Sequence, residues 1–327
     1  MMAFTAEDWP IAAAMLPFVA HLPIAAGEEA LRREWSTTLR EVADAGFTHV
    51  DLTDSWLRYG DLDVRGRETL RAALSDAGLR ASSVSAIRRS VIDAEAGEAN
   101  LAYSHRTLDF AAELGIGVVS VGLHQALTPR QREQLWFWTV EGHRDRSDDA
   151  EAWALAIRRF RELGAHAADL GILLSLEMYE HTFLGTAASA VRMIEEIGMR
   201  EVGLNPDVGN LIRLHEPVED WREVMALTLP FTNFWHVKNY TRDEDPASGV
   251  ITTVPAYLES GLIDYRTALR MAIESGFQGV ICTEHYGGDG LSMSAANRDY
   301  LRGRILPRRP YAPGASRVAQ HAERVAS

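Results

Sequence analysis

A single cysteine, Cys282, is all that the 327 residues contain. That excludes a disulfide within the chain and a cysteine-ligated metal cluster. Cys282 lies in an apolar run, where a buried and inert thiol is the expected outcome. Positive charge is also scarce: 33 Lys and Arg stand against 46 Asp and Glu, for a net charge of −13. Nucleic acids and anionic membranes are bound mainly by cationic surfaces, so neither is expected as a partner. A small neutral or carbonyl-bearing substrate is compatible with that charge. Long hydrophobic runs are missing as well. The longest candidate, Ile11–Ala20, follows Glu7 and Asp8, and the first Lys or Arg is Arg32. A secretory leader carries cationic residues ahead of its apolar stretch, and a membrane span needs ~20 apolar residues. A cytoplasmic location is expected.

The remaining pattern is an alternation of short apolar runs with longer amphipathic segments, as in a parallel sheet covered by helices. It predicts eight strands, at Ile11–Val19, Thr48–Asp54, Arg80–Ile87, Val118–His124, Ile172–Met178, Val202–Asp207, Phe231–Lys238 and Gly279–His285. Helical patterns separate them, among them Glu29–Ala45, Arg65–Asp76, Leu101–Leu114, Asp149–Ala168, Ala187–Ile197 and Tyr265–Ser275. A helix after nearly every strand predicts an α/β fold, the closed (β/α)8 TIM barrel, as one domain over residues 1–306. A doubly wound open sheet is the alternative, but no G-x-G-x-x-G follows the first strand. Residues 307–327, rich in Pro, Arg, Ala and Ser, read as a C-terminal arm on a neighbour or as a disordered tail. Two connections exceed what a barrel needs: Gln125–Asp148 after the fourth strand and Tyr240–Asp264 after the seventh. Both are expected at the C-terminal face, where barrel enzymes keep their active sites.

Four residues carry a spacing of interest. Glu177 to Asp207 is 30 positions, Asp207 to His236 is 29, and His236 to Glu284 is 48. A strand-plus-helix unit takes roughly 30 residues, and the last step is one unit plus a long loop. Each residue therefore falls at the C-terminal end of one of strands five to eight, which are neighbours round a barrel. Alternation along the strands agrees. Leu173, Ser175 and Glu177 share one face, as do Gly203, Asn205 and Asp207, and Val280, Cys282 and Glu284. Any one of these carboxylates can be read as a helix cap or as an ion-pair partner of Lys238 or Arg242. Three gathered with an imidazole need a counter-cation, and an oxygen-rich set suits Mn²⁺, Mg²⁺ or Co²⁺. One divalent ion is expected, held by Glu177, Asp207, His236 and Glu284.

The runs Ser175-Leu-Glu-Met, Asn205-Pro-Asp-Val-Gly-Asn, His236-Val-Lys-Asn and Cys282-Thr-Glu-His resemble the metal-binding strand ends of the sugar phosphate isomerase/epimerase family, the xylose-isomerase-like barrels. The resemblance extends along nearly the whole chain, including Leu39–Leu52 and Gly261–Glu284. It implies that the matching Glu, Asp, His and Glu bind Mn²⁺ or a similar ion. It also implies that Glu177 and Glu284 are the acid/base pair on opposite faces of a bound sugar. Arg242 matches a substrate-binding arginine of the ketose epimerases. Where those enzymes place a second histidine three positions after the metal aspartate, this chain has Asn210. The insertion carrying Trp136, Trp138 and His143 resembles a specialised branch, the α subunits of C-glycoside deglycosidases. That branch acts on 3-oxo-C-glycosides together with a small β subunit.

Two reactions share one logic: a metal polarises a sugar carbonyl and a base removes the adjacent proton. In an isomerase or epimerase, Glu177 and Glu284 exchange that proton. In a carbon–carbon lyase, the enolate expels a group at the β position, with His143 or His124 as base. His143 can equally be a solvated loop residue, and His124 is expected to line the pocket. Trp136 and Trp138 fit either stacking on an aglycone or burial against the barrel or a partner. Lys238, Arg242, Asn210, His124 and Trp136 are the expected substrate contacts. An oligomer is expected, with a small second subunit in the lyase reading. An abasic-site endonuclease on the same barrel needs more metal ligands and a basic face. A non-catalytic barrel subunit does not need an intact ligand set.

Overall fold

Eight short parallel strands form a ring in which each strand feeds a helix on the outside. The structure, a computed structural model, describes residues 3–321. The ring strands are β1 (Ile11–Ala14), β2 (His49–Thr53), β3 (Arg80–Ser85), β4 (Val118–Gly122), β5 (Leu173–Glu177), β6 (Val202–Asn205), β7 (Phe234–Val237) and β10 (Val280–Thr283). They pair in the order β6-β5-β4-β3-β2-β1-β10-β7. The main outer helices are α1 (Glu28–Asp44), α2 (Val64–Ala77), α3 (Gly97–Leu114), α5 (Ala150–Asp169), α6 (Ala187–Ile197), α8 (Trp221–Thr228), α9 (Tyr265–Glu274) and α10 (Gly290–Tyr300). Two single turns, α4 (Pro129–Arg132) and α7 (Gly209–Ile212), lie in connections at the mouth.

Local chemistry explains where the helices begin and end. Leu31, Trp35, Leu39 and Val42 recur at helical spacing on α1 and are all buried, the stripe that docks a helix on a sheet. Asp63, Asp149 and Thr186 cap α2, α5 and α6 by accepting from backbone N–H groups of the first turn, which satisfies donors that no helical carbonyl can reach. Gly78 and Gly198 end α2 and α6 at φ 68° and 71°. That left-handed turn is costly for a side chain bearing Cβ.

The seam between β6 and β7 closes the ring by unusual means. Its backbone pairing is reduced to one parallel bridge, Leu204 to Thr232. Side chains take over the rest. Asn205 Oδ1 accepts from the His236 backbone N–H at 2.7 Å, and Asn233 Nδ2 donates to the Leu174 carbonyl at 3.1 Å. Gly203 makes room for this: a Cβ there would lie 2.5 Å from Asn233 Cγ.

Inside the ring the lower layer is apolar. Ala12, Ala14, Val118, Leu173, Phe234, Val280 and Cys282 form one cluster, and Ala319 of the C-terminal stretch completes it from below. That stretch was expected to be an arm or a disordered tail. The structure places it under the barrel's own floor as far as Gln320; residues 322–327 lie outside the described residues. Ala319 N–H donates to the Arg200 carbonyl at 2.7 Å, and the Gln320 side chain bonds Gln278 N–H and the Thr232 carbonyl. His49 sits at this floor, where burial, with help from Arg80, Arg302 and His321, lowers its pKa to about 4. The unfolded chain then binds a proton near pH 6.5 that the folded chain refuses until about pH 4. Stability should therefore fall as pH drops through that window. We expect His49→Gln to flatten the loss of thermal midpoint between pH 6.5 and 4.5. An unchanged pH profile would count against His49 as its source.

The strands are shorter than the sequence suggests. β1 stops at Ala14 and β7 begins at Phe234, because Leu229–Phe231 turns as a 3-10 helix after Thr228. Both long connections rise at the C-terminal face. The one after β7 is not an open loop but an antiparallel hairpin, β8 (Asn239–Glu244) with β9 (Ile251–Ala256).

Candidate metal centre at the barrel mouth

Above the apolar floor the inward-facing residues become polar. Asp51, Ser85, Ser120, Ser175, Asn205 and His236 are all buried at mid-height, and Glu177, Asp207, Lys238 and Glu284 are buried above them. Glu177 ends β5, Asp207 follows β6 by two residues, His236 lies in β7, and Glu284 follows β10 directly. Ligand atoms of Glu177, Asp207 and His236 lie within 4.8 Å of one another. Glu284 reaches the same group, with Oε2 3.1 Å from His236 Nδ1. Three of the four side chains singled out by their spacing thus gather within ligand distance of one another, and Glu284 lies beside His236.

Lys238 is the resident counter-charge. Its ammonium lies 2.6 Å from Asp207 Oδ2 and donates to Glu284 Oε1 at 2.9 Å, with all three side chains buried. The room for it comes from Gly209, where a Cβ would fall 2.4 Å from Lys238 Cγ. One ammonium does not satisfy the cluster. Both carboxylate oxygens of Asp207 and Nδ1 of His236 are buried without an aligned hydrogen bond. Burial pushes Glu177 up to about 7, with Asp207 and Glu284 adding to it against the pull of His236. Burial pushes Glu284 up too, but Lys238 and His236 outweigh it and hold its carboxyl well below the usual range. Three buried carboxylates and an imidazole round a single ammonium, with Asp207 Oδ1 left without a partner among the described residues, are what a hard divalent cation satisfies. The residues fit such an ion.

The opposite edge of His236 is also held. Ser85 Oγ lies 3.3 Å from His236 Nε2 and donates to Asp51 Oδ1 at 3.0 Å; Thr53 Oγ1 donates to the other oxygen at 3.1 Å. With its proton on Nε2, the ring donates to Ser85 and turns the Nδ1 lone pair toward the carboxylates. Cys282 and Asp51 form a second trio with His236. Burial pushes the Cys282 thiol up to about 12, so it stays protonated and is a poor ligand. Asp51 and Ser85 were missed in the sequence, although Asp51 sits in the predicted second strand. We expect Asp51→Asn and Ser85→Ala each to weaken divalent-ion affinity by about 10- to 100-fold, measured by calorimetry. Wild-type affinity in both would show that this chain of contacts does not orient the ring.

Two chambers lead to the centre. The inner one is narrow and is lined by Glu177, His236, Glu284, His124, Tyr179 and Arg88, among others. The outer one shares Arg88, His124 and Tyr179 and adds His143 and Trp138. Trp138, Phe137, Tyr179 and Tyr286 enclose the buried guanidinium of Arg213 at 4.8–5.4 Å from the ring centres. Arg213 is in turn paired with Glu180 at 2.6 Å. The aromatic insertion is therefore a roof packed on its own barrel.

The expected substrate contacts divide. His124 lines both chambers and stacks on Tyr179 with ring centres 4.5 Å apart. Asn210 faces Glu177 instead, donating to its Oε1 at 3.0 Å and to the Met178 carbonyl at 3.1 Å. Arg242 is turned away from the chambers, because its guanidinium donates to the Ile212, Leu214 and Glu216 carbonyls and ties the hairpin down. Trp136 stacks on Trp138 at 5.1 Å and lies against Gly287; Trp138 takes the place in the outer chamber. His143 borders that chamber, with Nε2 2.9 Å from Asp145 and 2.8 Å from Gln125.

A family model described as "Xylose isomerase-like TIM barrel" matches residues 39–304. The chain belongs to that family. A xylose isomerase-like TIM barrel protein from Mycobacterium smegmatis, solved in complex with magnesium, is 46% identical. The match covers 92% of this chain and 97% of that one, with a TM-score of 0.86. D-allulose 3-epimerase from Methylomonas sp. is 14% identical, over 93% of this chain and all of that one, at TM-score 0.62. 3-Keto-D-glucoside 4-epimerase from E. coli is 18% identical, over 90% and 98%, at TM-score 0.60. These last two share the fold with this member of the family. No curated protein matches it in sequence. Among the described residues, no helix is long and apolar enough to cross a membrane.

Proposed function

We propose that the protein is a divalent-metal-dependent sugar isomerase or epimerase that moves a proton on the carbon next to a sugar carbonyl. The observation that carries this reading is that Glu177 and Glu284 line one buried chamber together with His236. They come from strands on well-separated parts of the ring, so a sugar held between them is flanked by a carboxylate on each side. Glu177, Asp207, His236 and Glu284 would hold the ion, Mn²⁺ first and Mg²⁺ or Co²⁺ in its place. Bound there, it supplies Lewis-acid polarisation of the carbonyl. The chain's own groups do the rest. One glutamate takes the proton from carbon and the other returns it from the opposite side, which inverts or relocates the centre. Lys238 keeps Glu284 ionised, and Asn210 fixes the Glu177 carboxylate by donating to Oε1. The roof of Phe137, Trp138 and Tyr286 limits water around the proton in transit.

The carbon–carbon lyase reading for a 3-oxo-C-glycoside gives the base role to His143 or His124. His143 belongs to the outer chamber, whereas His124 lines both chambers and so serves either reading. The test is exchange in D₂O. The metal-loaded protein should place deuterium in a recovered keto-sugar; release of an aglycone from a 3-oxo-glycoside without such exchange would replace this reading by the lyase.

A further inference from the structure

Three cations stand round the chambers, and two of them have acid partners. Lys238 is paired with Asp207 and Glu284, and Arg213 with Glu180 through both of its oxygens. The third, Arg88, lines both chambers and forms no ion pair among the described residues. Its neighbours are uncharged: the faces of Phe137 and Tyr179, at 4.8 and 5.6 Å, the Tyr179 hydroxyl, and the Gln125 carbonyl, which accepts one long hydrogen bond of 3.3 Å. Neighbouring Arg89 does have a carboxylate, Asp54, at 3.2 Å.

The backbone is bent to present Arg88. Its φ of 55° is left-handed, one of two such residues besides glycine in the described chain, and such strain persists only where surrounding structure enforces it. Asp54 supplies the enforcement from either side: Oδ1 accepts from the Ile87 backbone N–H at 2.9 Å, and Oδ2 from Arg89 Nε at 3.2 Å. A strained turn is thus clamped at both shoulders, and the side chain between the clamps is a cation lacking a counter-ion. Beside it, His124 is only 2% exposed and its Nδ1 has no hydrogen-bond partner among the described residues. Burial, aided by Arg88, Lys238 and Arg213, keeps that ring uncharged, so it adds a polar atom without a second charge.

We infer that Arg88 is the recognition residue for an anionic group on the substrate, a carboxylate or a phosphate, held where the two chambers join. This rests on the proposal that the inner chamber takes a sugar. It adds that the sugar is a keto-sugar acid or a keto-sugar phosphate, oriented with its reacting carbons toward Glu177 and Glu284 and its anion toward Arg88. A guanidinium in a dry site gains charge-assisted bonds to such a group that a hydroxyl cannot replace.

Calorimetric titration of the full chain with D-fructose, D-fructuronate and D-fructose 6-phosphate separates the cases. At least one of the two anions should bind about 10-fold or more tightly than fructose, the size of one buried charge-assisted hydrogen bond. Which anion does so tells carboxylate from phosphate. In Arg88→Gln the gap between anion and fructose should close, and Arg88→Lys should restore part of it. Equal binding of all three sugars by the wild type overturns the inference, as does a gap that survives in Arg88→Gln. The wild-type comparison decides even if the Gln variant folds poorly. Failure of the isomerase reading looks different: no keto-sugar, charged or neutral, would then exchange its proton in D₂O.

Discussion

Glu177→Gln and Glu284→Gln are each expected to lower proton exchange by about 10²- to 10⁴-fold, the range that a positioned acid or base contributes. An amide keeps the shape of either side chain and removes its capacity to carry the proton. The two variants should differ in a second respect. Glu284 is bonded to Lys238 and lies beside His236, so its neutralisation also leaves the ammonium half-paired. Among the described residues Glu177 has only Asn210 as a hydrogen-bonding side-chain partner, and an amide can keep that contact by turning its oxygen to it. Glu284→Gln should therefore lose more thermal stability than Glu177→Gln, while both lose exchange. Near-normal exchange in either variant, followed by loss of deuterium label at the carbon beside the carbonyl, would remove that residue from the acid/base pair.

The second large effect is expected on stability. Lys238→Met removes the one cation buried between Asp207 and Glu284, which stand 2.6 and 2.9 Å from it. Stripping one partner from a buried ion pair costs about 3–5 kcal/mol, because the remaining charge has neither water nor a counter-ion. Denaturant titration in the presence of a chelator should show that loss. Millimolar Mg²⁺ or Mn²⁺ should restore much of it, since a cation bound by the native state alone adds stability by mass action. A variant as stable as wild type in chelator would mean that the carboxylates are not charged together. A loss that no divalent ion repairs would mean that packing of the lysine stem against Gly209, rather than charge, was what mattered.

The fold was legible because a parallel barrel writes itself as a repeat: an apolar strand, a capped helix, a glycine stop. The four-residue cluster was legible for the same reason, since strand-plus-helix spacing and alternation along β5 and β10 put Glu177 and Glu284 on inward faces. What spacing does not encode is where a long side chain goes. Arg242 lies in β8, five residues beyond the end of β7, and looked able to reach the mouth, but three backbone carbonyls beside α7 take its guanidinium. Asn210 stands one turn from Asp207 and turns to Glu177. The aromatic insertion was visible as composition alone; that Trp138 and not Trp136 enters the chamber depends on Arg213, some 75 positions away in sequence, which draws four rings around itself. Arg88 was invisible because its significance is a backbone angle and an absent partner. Neither leaves a mark in periodicity.

Equilibrium dialysis with elemental analysis, on the wild type and on Asp207→Asn, tests the centre most directly. The account predicts one divalent ion per wild-type chain and its loss, or a fall in affinity of about 10-fold or more, when Asp207 no longer carries a charge. A fully active wild type that retains no divalent ion after chelation, or an ion held equally well by Asp207→Asn, would contradict it.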